Sequence, residues 1–239
     1  MNAPTPPPLA AVRAAYDRLA CTWDGLFTRR RDVAENAYVL RRLRASGALR
    51  GRVLDVGCGT GLLLDLTALS PAQYVGVDVA PAMVARAREK YPGHTFVVGD
   101  AQALPLPAGD VDAVVSLFCA TSYTDLGRAM REYRRVMRPG AALFLILYGR
   151  RNDGLNGNTG VYSGAPAARP PHAYYDRAAV ARVCRGWVRD LEMTGLRYAA
   201  LPDAAPVLAH RAWLTAEAQV VGRLAPDAGY FMLVTGRVA

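Results

Sequence analysis

The stretch VLDVGCGTGLLL, Val53 to Leu64, runs from apolar residues straight into three glycines within five positions. RVLDV is a short apolar run bounded by Gly51 and Gly57, which predicts a buried strand. Gly57 to Gly61 then form a turn, and a helix starts near Thr60 and Gly61 and runs towards Leu69. Glycine tolerates positive φ in a tight turn and has no Cβ to hold a ligand away from the backbone. The loop therefore lies at the carboxyl end of a first strand, where open α/β sheets bind ligands. An extended ligand lying against bare main chain is implied.

Working outward, the segment from Leu9 to about Gly47 carries apolar residues at helical spacing in VRAAYDRLACTW and VAENAYVLRRLRASG, predicting two helices before any strand. After the glycine loop the pattern alternates: strand QYVGV, helix PAMVARAREKY, strand HTFVV, strand VDAVVSL, helix DLGRAMREYRRVM, strand AALFLIL. Pro81 suits a first helical turn, and Pro139-Gly140 predicts an abrupt helix stop. Strands alternating with helices predict an α/β fold with a doubly wound, mostly parallel sheet covered on both faces. Between Tyr148 and Tyr175 glycine, asparagine and proline crowd GRRNDGLNGNTGVYSGAPAARPPHAYY, and a loop so long in a compact domain is functional or disordered. Helix DRAAVARVCRG, an extended region near GLRYAAL, helix PVLAHRAWLTAEAQVVGRL and a closing strand GYFMLVTGRV follow. One domain over 1–239 is expected: helices at 1–49, a binding core at 50–148, a substrate loop at 149–175, and 176–239 completing the sheet.

Composition narrows the classes. The chain has 239 residues, 52% of them hydrophobic, enough for a sizeable core, yet its longest apolar run, AALFLIL, is too short to span a bilayer. MNAPTPPPLA lacks the charged start and apolar stretch of a secretory signal, so a cytoplasmic location is expected. Cys21, Cys58, Cys119 and Cys184 form no CxxC pair, which argues for free thiols and against a disulfide framework or a metal site. A net charge of +9 could attract nucleic acid, membrane headgroups or an anionic substrate. The arginines, however, stand in short clusters typical of solvated helix faces, and Lys90 as sole lysine fits the coding habit of a GC-rich genome.

The dinucleotide fingerprint G-x-G-x-x-G requires glycine at position 62, where this chain has Leu62; the third glycine comes one step early, at Gly61. With Asp55 two residues ahead, DVGCGTG resembles motif I of the class I S-adenosylmethionine-dependent methyltransferases. The order of elements over residues 50 to 148 follows that family, and GYFMLVTGRV resembles its last, antiparallel strand, implying a seven-stranded Rossmann-like methyltransferase fold. The resemblance implies S-adenosyl-L-methionine as cofactor, with Asp78 in GVDVAPAM accepting hydrogen bonds from both ribose hydroxyls. An ionised carboxylate is acceptor-only, so a vicinal diol suits it. Asp100 in GDAQALPLP, with the Ala101 amide, is implied at the adenine amino group. YDRLACTWD, with Tyr16, Trp23 and Asp24, is similar to a weaker amino-terminal signature that usually has tyrosine where Trp23 stands. The expected cofactor set is Tyr16, Asp55, Gly57, Cys58, Gly59, Gly61, Asp78, Val79, Met83, Asp100, Ala101 and Leu117. Within it, Cys58 is expected to act through its backbone amide, Asp55 either to brace the turn or to touch ligand, and Val79 and Met83 to line the adenine pocket or the core.

The sulfonium of that cofactor carries an already activated methyl, so the protein's task is positioning, which supplies about 7–11 kcal/mol when geometry is good. The 149–175 loop and the amino-terminal helices are expected to close as a lid and exclude water. His172 in RPPHAYY is the expected general base, whereas His94 and His210 look structural. Tyr16, Trp23, Tyr162, Tyr174, Tyr175 and Trp213 could line an aromatic acceptor pocket. LFCATSY departs from the histidine-containing segment common in quinone-type members. It also lacks the N/D-P-P-Y/F and Cys-Pro arrangements of nucleic-acid methyltransferases. The expectation is an O- or N-methyltransferase of a small molecule, a bacterial secondary metabolite, monomeric or homodimeric, without nucleic-acid or membrane partner. Its rivals are an RNA methyltransferase and a cofactor-binding scaffold catalysing another reaction, such as a cyclisation.

Overall fold

Val53, Leu54, Asp55 and Val56 are all buried, as a central strand covered on both faces requires. The computed structural model describes residues 6–26, 28–118, 120–149, 172–196, 201–202 and 204–239. In chain order the elements are α1 (Leu9–Leu19), α2 (Arg30–Ser46), β1 (Val53–Val56), α3 (Leu62–Leu66), β2 (Tyr74–Asp78), α4 (Pro81–Lys90) and β3 (Thr95–Val98). There follow β4 (Val111–Ser116), α5 (Leu126–Val136), β5 (Met137–Tyr148), α6 (Arg177–Cys184), β6 (Val188–Leu196), α7 (Val207–Leu224) and β7 (Phe231–Val238). The sheet order is β3-β2-β1-β4-β5-β7-β6, with β7 antiparallel to both of its neighbours and the other pairs parallel.

Alternate strand residues feed two cores. Val53, Ala113, Phe144 and Ile146 pack with α2, α4 and α7 through Leu43, Val84 and Leu214; Leu54, Val114, Leu143 and Leu145 pack with α5 and α6 through Met130, Tyr133 and Val180. Each fully buried aliphatic side chain contributes about 1.5–3 kcal/mol, which makes β5 the backbone of both cores. Side-chain caps set two of the helices: the Arg128 amide donates to Asp125 Oδ1 (2.8 Å) at α5, and the Ala179 amide to Asp176 Oδ1 (2.7 Å) at α6.

Three boundaries differ from the sequence expectation. α3 ends at Leu66, with the Thr67 hydroxyl donating to the Leu63 carbonyl (2.6 Å), short of Leu69. β5 begins at Met137, so Pro139 and Gly140 sit inside the strand; a register irregularity opposite, between Val111 and Ala113, and a left-handed Gly140 (φ 79°) accommodate them. β6 spans Val188–Leu196 and meets the expected GLRYAAL region only at Gly195 and Leu196; residues 197–200 lie outside the described set. Of the two helices expected as a lid, α1 contributes Leu9, Val12 and Tyr16 to the wall of the site described below, while α2 packs against α7 and β5. Among the described residues no helix is long and apolar enough to cross a membrane, and no group of histidine, cysteine or acidic residues is arranged to hold a metal ion.

Candidate functional site

The sheet order reverses between β1 and β4, and over their carboxyl ends opens a cleft of about 910 Å³ measured out to its mouth. Its floor is the glycine loop. Gly57, Gly59 and Gly61 all have left-handed φ, at 72°, 53° and 99°, but for different reasons. A Cβ on Gly57 would lie 2.0 Å from Ala120 Cβ, and one on Gly61 2.8 Å from the Tyr91 ring; one on Gly59 would meet only Trp23 Nε1, at 3.7 Å. Gly57 and Gly61 thus keep the loop packed, and Gly59 presents bare main chain to the cleft. Gly61 is absent from the cleft wall; it caps α3.

The amides around the loop are mostly engaged. Gly57 and Cys58 N–H both donate to the Val77 carbonyl (2.7 and 3.1 Å), so the Cys58 amide, expected to face a ligand, instead ties the loop to β2. Cys58 still lines the cleft, its thiol pushed well up by burial and then by the Asp78 and Asp55 charges. Gly59 N–H donates to Asp78 Oδ2 and Ala80 N–H to Asp78 Oδ1, both at 2.9 Å. Each oxygen of Asp78 therefore keeps acceptor capacity for a further donor. Burial pushes the Asp78 carboxyl up, and the Ala80 and Gly59 amides pull it back.

Asp55, 2% exposed, accepts the Tyr74 hydroxyl at 2.9 Å. Burial raises its pKa to about 7, the Tyr74 bond opposing this and the Asp78 charge adding to it. Asp55 both braces the turn and lines the cleft. Tyr74 was not foreseen; the nearby signal is Gly76, where a Cβ would come within 2.7 Å of Tyr74 Oη and 2.9 Å of Cys58 Sγ. Asp100 accepts the Gln102 amide (2.9 Å) and side-chain Nε2 (3.2 Å), closing the turn that sets Ala101 in the wall. Val79, Met83 and Leu117 complete that side, Met83 fully buried.

The opposite wall is aromatic and comes from distant parts of the chain. Tyr16 stands edge-on to Trp23 (5.4 Å between centroids) and to Tyr123 (5.6 Å). The amino-terminal segment carrying Tyr16 and Trp23 is clipped down: Asp24 accepts the Thr60 hydroxyl and pairs with Lys90 (3.1 Å), and Asp17 accepts the Ala82 amide (2.9 Å) at the start of α4. Leu9, Val12, Phe118, Ala120, Tyr123 and Thr124 also line the cleft and were not picked from the sequence. No local motif marks them, because they converge only through the fold.

His172 does not lie on the cleft wall. Its ring is tilted over Tyr148 (4.1 Å), with Tyr174 at 4.8 Å and Tyr123 at 5.7 Å, so Tyr123 stands between it and the cleft. Its neighbour Ala173 is tied by its amide to the Ser122 carbonyl (2.7 Å). Tyr175 is buried in the second core, its hydroxyl donating to the Thr124 carbonyl (2.8 Å), and Trp213 is 43% exposed on α7; neither lines the cleft. Cys119, Tyr162 and residues 150–171 of the expected substrate loop lie outside the described residues. His94, with Nε2 3.0 Å from the Leu69 carbonyl, and His210, buried on the inner face of α7, stand away from the cleft.

Residues 54–145 match a family model described as a methyltransferase domain. Over 143 residues the chain is 31% identical to the demethylmenaquinone methyltransferase of Chlorobaculum tepidum, covering 57% of this chain and 59% of that protein. Over 135 residues it is 32% identical to the malonyl-[acyl-carrier protein] O-methyltransferase of Serratia marcescens, covering 56% and 51%. The chain thus spans little more than half the length of these relatives. Among solved structures the [4+2]-cyclase SpnF shares the fold with a TM-score of 0.66 at 21% identity, over 99% of this chain and 98% of that one.

Proposed function

Starting from residues 54–145 as a domain of the class I S-adenosylmethionine-dependent methyltransferase family, we propose that the chain methylates an oxygen or nitrogen of a small molecule. The observation that carries this reading is Asp78: a half-buried carboxylate at the carboxyl end of β2, held by two backbone amides beside the bare main chain of Gly59. That pairing suits a nucleoside lying flat on the loop with its sugar diol donating to the carboxylate. When bound, S-adenosylmethionine supplies a methyl group activated by its sulfonium. The chain's residues supply the rest. Asp78 holds the ribose, Asp100 and the Ala101 amide hold the adenine edge, and Val79, Met83 and Leu117 enclose the ring. Tyr16, Trp23 and Tyr123 close the other side and exclude water, which strengthens every polar contact within.

The acceptor enters on the aromatic side, in this reading a compact, ring-bearing secondary metabolite of a cytoplasmic route. The absence from LFCATSY of the motifs named above favours it over a nucleic-acid or quinone acceptor. His172, one aromatic layer behind the wall, serves as general base if Tyr123 gives way on acceptor binding. Calorimetry with S-adenosylhomocysteine tests the foundation: micromolar binding is expected, and no detectable heat overturns the reading. His172→Gln tests the base: turnover falls with a changed pH profile, whereas an unaltered rate at every pH removes His172 from the chemistry.

A further inference from the structure

Phe118 lies on the walls of two cavities at once. One is the cleft described above. The other is smaller, about 280 Å³, and lies between α2, α7 and the ends of β5, β6 and β7, walled by Val39, Ile146, Leu196, Leu214 and Phe231. Its enclosed part has room for only about one water-sized body. The Phe118 ring stands edge-on to Phe231, 6.0 Å between centroids, and forms part of the partition. Its backbone is left-handed, φ 46°, a conformation that aromatic residues seldom adopt and that persists only where the surroundings hold it.

Resting on the methyltransferase reading, we propose that Phe118 is a gate, and that the cavity behind it receives the apolar, ring-bearing end of the methyl acceptor. The wall chemistry defines that end. It is almost wholly apolar, Glu35 and Tyr38 of α2 adding next to no polar surface, which suits an uncharged ring system. Swinging the ring out of the partition merges cavity and cleft, so that an acceptor anchored behind Phe118 extends its nucleophile towards the cofactor side.

The probe is N-phenyl-1-naphthylamine, an uncharged two-ring-system amine whose fluorescence rises in apolar surroundings, titrated into the full chain saturated with S-adenosylhomocysteine. Wild type is expected to bind it weakly, and Phe118→Ala at least ten-fold more tightly. Phe118→Gly should do the same while melting higher than Phe118→Ala, since glycine accepts the left-handed φ. Adding Leu214→Phe to Phe118→Ala fills the second cavity and should return binding to the wild-type level. Leu196→Phe serves as an independent block should the first variant melt before assay temperature. The gate is overturned if Phe118→Ala leaves probe binding unchanged, if filling the cavity has no effect, or if the tighter binding by Phe118→Ala is seen only when S-adenosylhomocysteine is left out. A wild-type chain that gives no heat with S-adenosylhomocysteine defeats the cofactor reading instead, whatever the probe does.

Discussion

On the β1–β2 side of the cleft the wall is largely main chain, whereas on the β4–β5 side it is built of side chains. The first side takes its shape from one turn: three left-handed glycines, amides tied to Val77, and Asp78 locked by Gly59 and Ala80. The second gathers Tyr16, Phe118 and Tyr123 from α1, the segment just after β4 and the turn beyond it. A backbone wall leaves little freedom in what it binds, because moving it means unmaking the turn. A side-chain wall can be recut one residue at a time. The cleft thus joins a side built for one ligand to a side open to variation.

The largest effect that can test this contrast is within the glycine loop itself. Gly57→Ala forces a Cβ into Ala120 and a left-handed φ on alanine, together costing about 2–5 kcal/mol, and urea unfolding should show it together with loss of S-adenosylhomocysteine binding. Gly59→Ala meets nothing closer than Trp23 and should cost only about 1–2 kcal/mol for its φ, while still weakening the ligand. Equal binding by Gly59→Ala and wild type would show that this main chain is not the ligand's surface.

Next in size is a pH effect beneath the loop. A carboxyl whose pKa is about 7 when folded and near 4 when unfolded favours the fold fully below pH 4 and loses that advantage as pH rises to about 7. Wild type should therefore lose up to about 4 kcal/mol of stability relative to Asp55→Asn between pH 4 and pH 8, followed as the difference in melting temperature. A difference independent of pH would place Asp55 in a wetter setting than its 2% exposure and its bond to Tyr74 describe.

Asp78→Asn should then separate binding from folding. Loss of the charged acceptor lowers S-adenosylhomocysteine affinity about ten- to hundred-fold, the size of a charge-assisted hydrogen bond of about 1.5–3 kcal/mol. Stability falls by only about 1–3 kcal/mol, because asparagine leaves one of the Gly59 and Ala80 amides without its acceptor while relieving a charge that burial disfavours. Tyr123→Phe, on the opposite wall, should shift the same affinity less than about three-fold, and a larger shift there would blur the division between the two sides.

The division also decides what could be read from sequence. Parallel strands buried on both faces are written as unbroken apolar runs, and a glycine turn is local, so β1, β2 and β4 and the positions of Asp78 and the Asp100 turn were legible in the sequence. β6 was misplaced because it is an edge strand of mixed exposure with a bulge between Arg189 and Glu192 and a left-handed Asp190, and VRDLEM therefore has no clean alternation. Pro139-Gly140 reads as a stop, yet the strand passes through it by an irregular register. Phe118, Tyr123 and the displacement of His172 behind Tyr123 were illegible for a different reason: their positions depend on contacts between elements dozens of residues apart.

The smallest effect on stability lies where the two sides are joined. Asp24 reaches from the amino-terminal segment to the Thr60 hydroxyl on the glycine loop and to Lys90 at the end of α4, while its own side chain stays 46% exposed. A half-exposed ion pair is worth only about 0.2–1 kcal/mol, so Asp24→Ala should move the melting temperature by a few degrees at most. Its consequence for binding is kinetic. The segment it clips carries Trp23, the side chain nearest to a Cβ built on Gly59, so loosening it uncovers the main-chain floor. Stopped-flow displacement should show S-adenosylhomocysteine leaving several-fold faster from Asp24→Ala while Asp24→Asn, which retains an acceptor for Thr60, stays closer to wild type. Identical release from all three would mean that the aromatic side closes over the cofactor without this clip, and that α1 with its Asp17 contact to Ala82 suffices to hold the cover down.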